Sequence, residues 1–243
     1  MSGYPYPSAP AVPRSLRGAR VDQHRRPGPA VPLLLTGLCL AALMAVWAIA
    51  EFVPSVHAED AVLLGRFLSL DYGHISGVAE HLPHLLSPTL FTIWGVALVL
   101  IAIARERPRV ALAIATIMAL APLSAELLKP LLAEPHLPVG ITHINAASFP
   151  SGHSTAAAVL AASAVLVTPR RFRVLAIVLA VLFVLAIGAA LLIRAWHMPS
   201  DVLGGYLLAL AWTSLAVACL RASALRWPAR STPPPAERTA PPA

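Results

Sequence analysis

Two short polar clusters in this chain carry side chains able to transfer a phosphoryl group. The first is Pro150-Ser151-Gly152-His153, and the second is His197 with Asp201 four residues later. On one helical face, a carboxylate at this spacing can hold one imidazole nitrogen and leave the other free as a nucleophile. The same spacing also occurs in polar pairs that only join helices, so the second cluster alone leaves both interpretations open.

The first cluster has the composition of a helix N-terminus. Ser151 is a favoured N-cap residue, Pro150 is compatible with a helix start, and Gly152 permits a close approach of the backbone. Free N–H groups and the positive dipole end of such a terminus suit a phosphate, with His153 on the same first turn. Taken alone, the cluster is equally typical of a capped membrane helix that carries one histidine.

The elements that must position these clusters are apolar helices. The chain has 243 residues, 58% hydrophobic and 12% charged, with a mean hydropathy of +0.73, which excludes an ordinary soluble domain. Six apolar runs approach the roughly 20 residues of a bilayer crossing, and we predict an all-α, polytopic bundle of six membrane helices. The fourth run is the weakest, because it needs Ser151 to Ser154 as its first turn. The runs are residues 31–53, 85–104, 110–128, 152–168, 174–193 and 201–220.

The remaining segments have a different composition. Residues 1–30 and 226–243 are rich in proline, arginine and small residues, which predicts disordered tails on either side of a membrane domain at 31–225. Residues 54–84 mix apolar and charged residues and predict one or two amphipathic helices at the membrane interface, with surface histidines rather than a metal site. A secretory signal cleaved near residue 58 is an alternative for the first run, but the long leader favours an uncleaved anchor.

The net charge of +7 is distributed as a topology signal. Fifteen of the 18 basic residues lie before the first run, after the last run, or in the connections after the second and fourth runs. Only Arg66, Lys129 and Arg194 lie on the other side. The positive-inside rule therefore predicts cytoplasmic termini and both polar clusters outside. The membrane we expect is the plasma membrane of a bacterial-type cell. This pattern argues against a nucleic-acid partner. The two cysteines, Cys39 and Cys219, lie inside apolar runs and indicate neither a disulfide nor a metal site.

Lys129 is the only lysine among those 18 basic residues. The chain otherwise uses arginine, so a single lysine at the outer end of the third run suggests a site that needs a primary ammonium. Chance retention is the alternative interpretation.

Together, Lys129, the Pro150–His153 cluster and the His197/Asp201 pair resemble the three-part signature of the type 2 phosphatidic-acid phosphatase superfamily. The resemblance covers roughly residues 85–220, and Asp201-Val-Leu-Gly-Gly205 continues it. Members are integral lipid phosphate phosphatases that share a helical core with vanadium haloperoxidases. The resemblance therefore implies six spans, a lipid phosphate substrate among membrane lipids, and a reaction without a metal or other cofactor.

The resemblance also implies a role for each matching residue. His197 would attack phosphorus and form a phosphohistidine, Asp201 would orient and stabilise it, and His153 would protonate the leaving alkoxide. Lys129 and the backbone at Ser151 and Gly152 would hold the phosphoryl oxygens by electrostatic stabilisation.

Two arginines of the family signature are absent. The first motif has Arg-Pro where this chain has His136 and Leu137, and the third motif has arginine at the position of Leu191. Arg194 lies about one helical turn later and is predicted to reach the same pocket, while His136 is a weaker substitute because a neutral imidazole makes no bidentate phosphate contact.

The expected function is hydrolysis of a lipid phosphate or diphosphate at the outer face. Two alternatives remain open at this point. One is a catalytically degenerate protein that binds or translocates a lipid phosphate, motivated by the missing arginines. The other is a phosphoryl or head-group transferase, in which an alcohol replaces water.

Overall fold

The chain folds into α-helices throughout the part that the structure, a computed structural model, describes, which is residues 28–133, 144 and 147–226. No strand occurs among these residues, and the all-α prediction is confirmed. Short 3-10 helices at Leu82–Leu86 and Arg170–Phe172 precede the fourth and seventh α-helices. The helices are α1 (Ala30–Phe52), α2 (Pro54–Leu68), α3 (Gly73–His81), α4 (Pro88–Ala104), α5 (Pro108–Leu128), α6 (Gly152–Val167), α7 (Arg173–Ile193) and α8 (Pro199–Arg226).

The six predicted apolar runs correspond to α1, α4, α5, α6, α7 and α8, with ends that mostly agree within a few residues. Four helices are long and apolar enough to cross a membrane: α1, α5, α8, and α7 with its 3-10 extension. Helix α4 meets that test only together with Gly73–Leu86, from which it is bent by 58°. Helix α6 has 16 residues, because its cap is Ser151 and the chain turns at Thr168-Pro169. By length and composition, the described residues of this multi-pass membrane protein thus hold four candidate spans, or five if the bent pair counts as one.

The segment between α1 and α4 forms two helices, α2 and α3. Its buried residues face the bundle: Leu64 of α2 is 2% exposed and lies in one apolar cluster with Leu86, Leu191 and Met198. Ala79 of α3 packs in a second cluster with residues of α7. The segment therefore packs against α7 and the start of α8.

Helix α6 lies inside the bundle, where it packs against α5, α7 and α8. Its small and polar residues Ser154, Thr155, Ala157 and Ser163 are fully buried. Small residues let membrane helices approach closely, and here the closest approach is to α8. A Cβ added at Gly205 would lie 2.6 Å from the carbonyl oxygen of Ser151. The N-terminus of α6 is thus pressed against the first turns of α8.

The two ends of the bundle differ in charge. At one end, arginine side chains bind backbone carbonyls: Arg105 donates to Val167 O at 2.7 Å, and Arg221 donates to Gly28 O at 3.4 Å. The N-termini of α6 and α8 and the C-terminus of α5, which carry the predicted functional residues, lie at the opposite end. Of the two predicted tails, residues 1–27 and 227–243 lie outside the described residues. Helix α1 begins at Ala30 and α8 ends at Arg226.

Candidate active site

The His197/Asp201 pair lies at the start of α8. Asp201 Oδ2 lies 3.3 Å from His197 Nδ1 and accepts a hydrogen bond from the Met198 backbone N–H at 2.9 Å. Asp201 is 2% exposed and His197 is 8% exposed. Because the carboxylate faces Nδ1, a neutral imidazole carries its proton there and presents Nε2 as the unprotonated nitrogen.

A tight turn at the end of α7 aims His197 into the site. The Trp196 N–H donates to Leu191 O at 2.9 Å, and the Ala195 N–H donates to Leu192 O at 3.1 Å. This is the bonding of a Schellman motif, and Ala195 has the left-handed conformation it requires, with φ of 52°. The Trp196 ring then contacts His153 edge-on, with 5.6 Å between ring centroids.

Ser151 connects the two polar clusters. Its hydroxyl accepts from the Ser154 N–H at 3.3 Å and so caps α6, as the sequence predicts. Its own N–H donates to the backbone carbonyl of Asp201 at 3.0 Å. The Ser151 amide is therefore occupied, while the amides of Gly152 and His153 lie in the first turn of α6, where a helix offers no acceptor of its own.

Lys129 follows α5 and faces the same helix start. Its ammonium forms an ion pair with Glu126 Oε1 at 2.7 Å. A Cβ added at Gly152 would lie 2.6 Å from that carboxylate oxygen and 3.9 Å from Lys129 Nζ. The pair thus covers the first turn of α6.

His153 is the common neighbour of the charged groups in this site. The charges of His197, Lys129, Glu126 and, more weakly, His84 all act on its ring. The structure therefore brings together six of the predicted residues from three helix ends. They are Lys129, Ser151–His153, and His197 with Asp201, and they surround the imidazole of His153.

Arg194 and His136 are the two predicted substitutes for the missing arginines, and the structure describes only Arg194. Arg194 Nη1 is ion-paired with Asp71 Oδ2, in the connection between α2 and α3, at 2.9 Å. Leu191, at the position of the family's arginine, is fully buried in the apolar cluster beneath α2. His136 lies outside the described residues.

Asp60 of α2 is a site neighbour that the sequence analysis missed. Its carboxylate accepts from the Ser200 N–H at 3.2 Å and from the Ser200 hydroxyl at 2.7 Å, and so caps α8 beside Asp201. Burial raises the pKa of Asp60 above its usual value, and the hydrogen bonds from Ser200 oppose that rise. No local pattern links residues 140 positions apart, whereas Glu126 was detectable from its i, i+3 spacing to Lys129.

The PAP2 superfamily model matches residues 103–224, which is half of the 243-residue chain and includes Lys129 and both polar clusters. The chain belongs to the PAP2 superfamily. This confirms the family resemblance carried by the three motifs. No curated protein sequence matches this PAP2 member.

The solved structures include a similar fold. The crystal structure of a transmembrane PAP2-type phosphatidylglycerolphosphate phosphatase from Bacillus subtilis is 21% identical, with a TM-score of 0.64. The match covers 77% of this PAP2 member and 96% of the other chain, and at this identity it shows a shared fold. Within the part of the chain that the structure describes, no three His, Cys, Asp or Glu side chains are grouped so as to hold a metal ion.

Proposed function

We propose that this protein is an integral membrane phosphatase that hydrolyses a lipid phosphate or diphosphate through a phosphohistidine. The observation that carries the proposal is the His197–Asp201 contact, held by the Ser151–Asp201 backbone hydrogen bond against the helix start that carries His153. Membership in the PAP2 superfamily and the shared fold with a membrane phosphatase support it.

In the first step, His197 Nε2 attacks phosphorus and forms an N–P bond. The bond from phosphorus to the lipid oxygen breaks, and His153 gives its proton to the departing alkoxide. Asp201 stabilises the positive imidazole ring through Nδ1. In the second step, His153 takes a proton from water, the hydroxide oxygen bonds to phosphorus, and the N–P bond breaks to release phosphate and restore His197.

The site stabilises the transferred group by fixed charges and dipoles. The Lys129 ammonium lies near the first turn of α6, where the amides of Gly152 and His153 are, and its charge acts on the His153 ring. Such preorganised donors are commonly the largest contribution to a phosphoryl-transfer rate. The chemistry needs no metal, because Lys129 and the helix dipole supply the positive charge.

The membrane arrangement follows from charge and length. We infer six crossings, with α4 and α6 as short members of a helical core like that of vanadium haloperoxidases, and the arginine-rich end with both termini in the cytoplasm. The site then lies at the outer face of a bacterial-type cell membrane. A groove of about 350 Å³ between α1, α5 and α8 starts at Leu128 and Leu131, beside Lys129, and offers an apolar surface for the lipid tail.

Arg194 supplies the charge of the missing motif arginine in this proposal. To bind substrate, Arg194 must leave Asp71, which now binds its Nη1. Its Nε is buried without a hydrogen bond. We expect Arg194→Ala to lower activity sharply, whereas Arg66→Ala, at an exposed arginine of α2, leaves activity unchanged. Equal effects of the two substitutions would show that Arg194 does not bind the substrate.

The decisive experiment measures phosphate release by the detergent-purified protein with a chelator present. The panel contains phosphatidic acid, phosphatidylglycerol phosphate, an isoprenoid phosphate and an isoprenoid diphosphate. We expect release by the wild type and by His74→Ala, an exposed histidine outside the site, and none by His197→Ala. Acid-labile, alkali-stable phosphate on the quenched wild type would reveal the phosphohistidine. Release that survives His197→Ala, or no release from any substrate, would refute the proposal.

The buried Leu191 and the Asp71-bound Arg194 favour one second candidate, a protein that binds or translocates a lipid phosphate without hydrolysis. The same preparation distinguishes it, because lipid phosphate would bind in a Lys129-dependent way without phosphate release. A transferase would release phosphate only slowly and would label an added alcohol.

A further inference from the structure

Glu126 occupies the groups that the proposed phosphatase needs for its substrate. Its carboxylate binds the Lys129 ammonium at 2.7 Å, and its Oε1 lies 2.6 Å from the position of a Cβ added at Gly152, in the first turn of α6. A carboxylate at a helix N-terminus and on an ammonium makes the same contacts as a phosphoryl oxygen. Its charge also acts on His153.

The Lys129–Glu126 ion pair is weak enough for another anion to replace Glu126. The side chain of Glu126 is 58% exposed and that of Lys129 is 22% exposed, and exposed pairs of this kind are worth at most about 1 kcal/mol. Glu126 can therefore turn into water at little cost. A phosphoryl group carries more charge than a carboxylate and displaces it from Lys129 when the lipid binds.

We propose that Glu126 is an internal anion that competes with the substrate's phosphoryl group for Lys129 and the α6 N-terminus. The inference rests on the proposed function, because it gives Glu126 a role in that site before the substrate binds and when phosphate leaves. In the empty protein the carboxylate holds the ammonium in place. After hydrolysis it returns and expels inorganic phosphate, so the product inhibits weakly. A site that lacks both motif arginines of the family and carries this carboxylate discriminates against free phosphate and relies on the lipid tail for affinity.

Tungstate, a phosphate-shaped anion that is not hydrolysed, tests the competition independently of turnover. Its dissociation constant is measured by calorimetry on the full chain in detergent, for the wild type, Glu126→Gln and Glu126→Ala. Glu80→Gln, an exposed glutamate on α3, is the matched control, and Lys129→Met tests the shared ligand. We expect both Glu126 variants to bind tungstate about two- to fivefold more tightly than the wild type, which corresponds to about 0.4–1 kcal/mol. Glu80→Gln should match the wild type. Lys129→Met should bind tungstate more weakly than the wild type, and adding Glu126→Gln to it should give no gain.

Unchanged or weaker binding in both Glu126 variants, or no tungstate binding by any protein, would overturn the inference. Two substitutions of different size keep the test valid if one of them unfolds the protein. The outcome is separate from that of the proposed function. Lipid hydrolysis that depends on His197 with unchanged tungstate binding would refute only the competition. Tighter binding in a protein that hydrolyses no lipid would refute only the phosphatase.

Discussion

Replacing Asp201 by asparagine isolates the charge behind the nucleophile. Both contacts of Asp201 go to a single oxygen, Oδ2, which accepts from Met198 and faces His197 Nδ1. An asparagine with its carbonyl oxygen in that place keeps both contacts and the tautomer, and loses only the negative charge. The substitution therefore differs from a simple loss of the hydrogen bonds.

The expected loss of activity follows from the 3.3 Å between Asp201 Oδ2 and His197 Nδ1. With an effective dielectric constant near 20, a carboxylate at that distance stabilises a positive imidazole by about 5 kcal/mol. The full charge develops only as the N–P bond forms, so the loss falls on kcat. We expect kcat to fall by about 10³- to 10⁴-fold, with KM nearly unchanged.

The assay is steady-state phosphate release on the best lipid substrate, paired with thermal unfolding in detergent. Asp201→Ala is the comparison, because it removes the charge and also leaves the Met198 N–H without its acceptor. We expect the same loss of kcat from alanine but a lower unfolding temperature than that of asparagine. A fall in kcat of less than tenfold for Asp201→Asn, or a change confined to KM, would refute the assigned role.

Three further predictions concern the packing around the site. Because burial raises the pKa of Asp60, the native state holds its proton more tightly than the unfolded state, and stability falls as pH rises through that pKa. Asp60→Asn should therefore unfold at no lower temperature than the wild type at pH 7, with the difference vanishing below about pH 4; a clear loss at pH 7 contradicts this. Ala195→Gly relieves a positive φ and should stabilise by about 0.5–1 kcal/mol in chemical denaturation, and destabilisation would exclude strain there. Gly205→Ala places a methyl group 2.6 Å from Ser151 O and should cost about 1–3 kcal/mol with a large loss of activity; wild-type activity would show that the two helices can separate freely.

The sequence predicted well whatever depends on local pattern. Apolar run lengths located six of the eight helices, and the Ser151 cap was visible as a Ser-Gly step before an apolar run. The His197/Asp201 contact followed from its four-residue spacing. The family match confirms the resemblance on which the role of each residue depends.

The features that were not predicted depend on tertiary contact. Asp60 reaches Ser200 across 140 residues, and nothing in either local segment indicates the other. Arg194 was predicted from helical spacing alone, but its present partner, Asp71, comes from a connection whose path the sequence does not determine. Hydropathy does not determine the number of crossings either, because α4 and α6 are too short for it to distinguish a span from a buried helix.

The arginine contacts at the far end of the bundle have a consequence for biogenesis. Arg105 and Arg107, in the turn between α4 and α5, donate to the carbonyls of Val167 and Leu166 at the end of α6. Carbonyls at the end of a helix receive no hydrogen bond from an N–H of that helix. A cation at this end also complements the helix dipole. The α4–α5 hairpin is synthesised before α6, so it is available to pack against α6, the shortest of the six helices that correspond to the predicted apolar runs. Arg105 and Arg107 would then recruit the helix that carries His153.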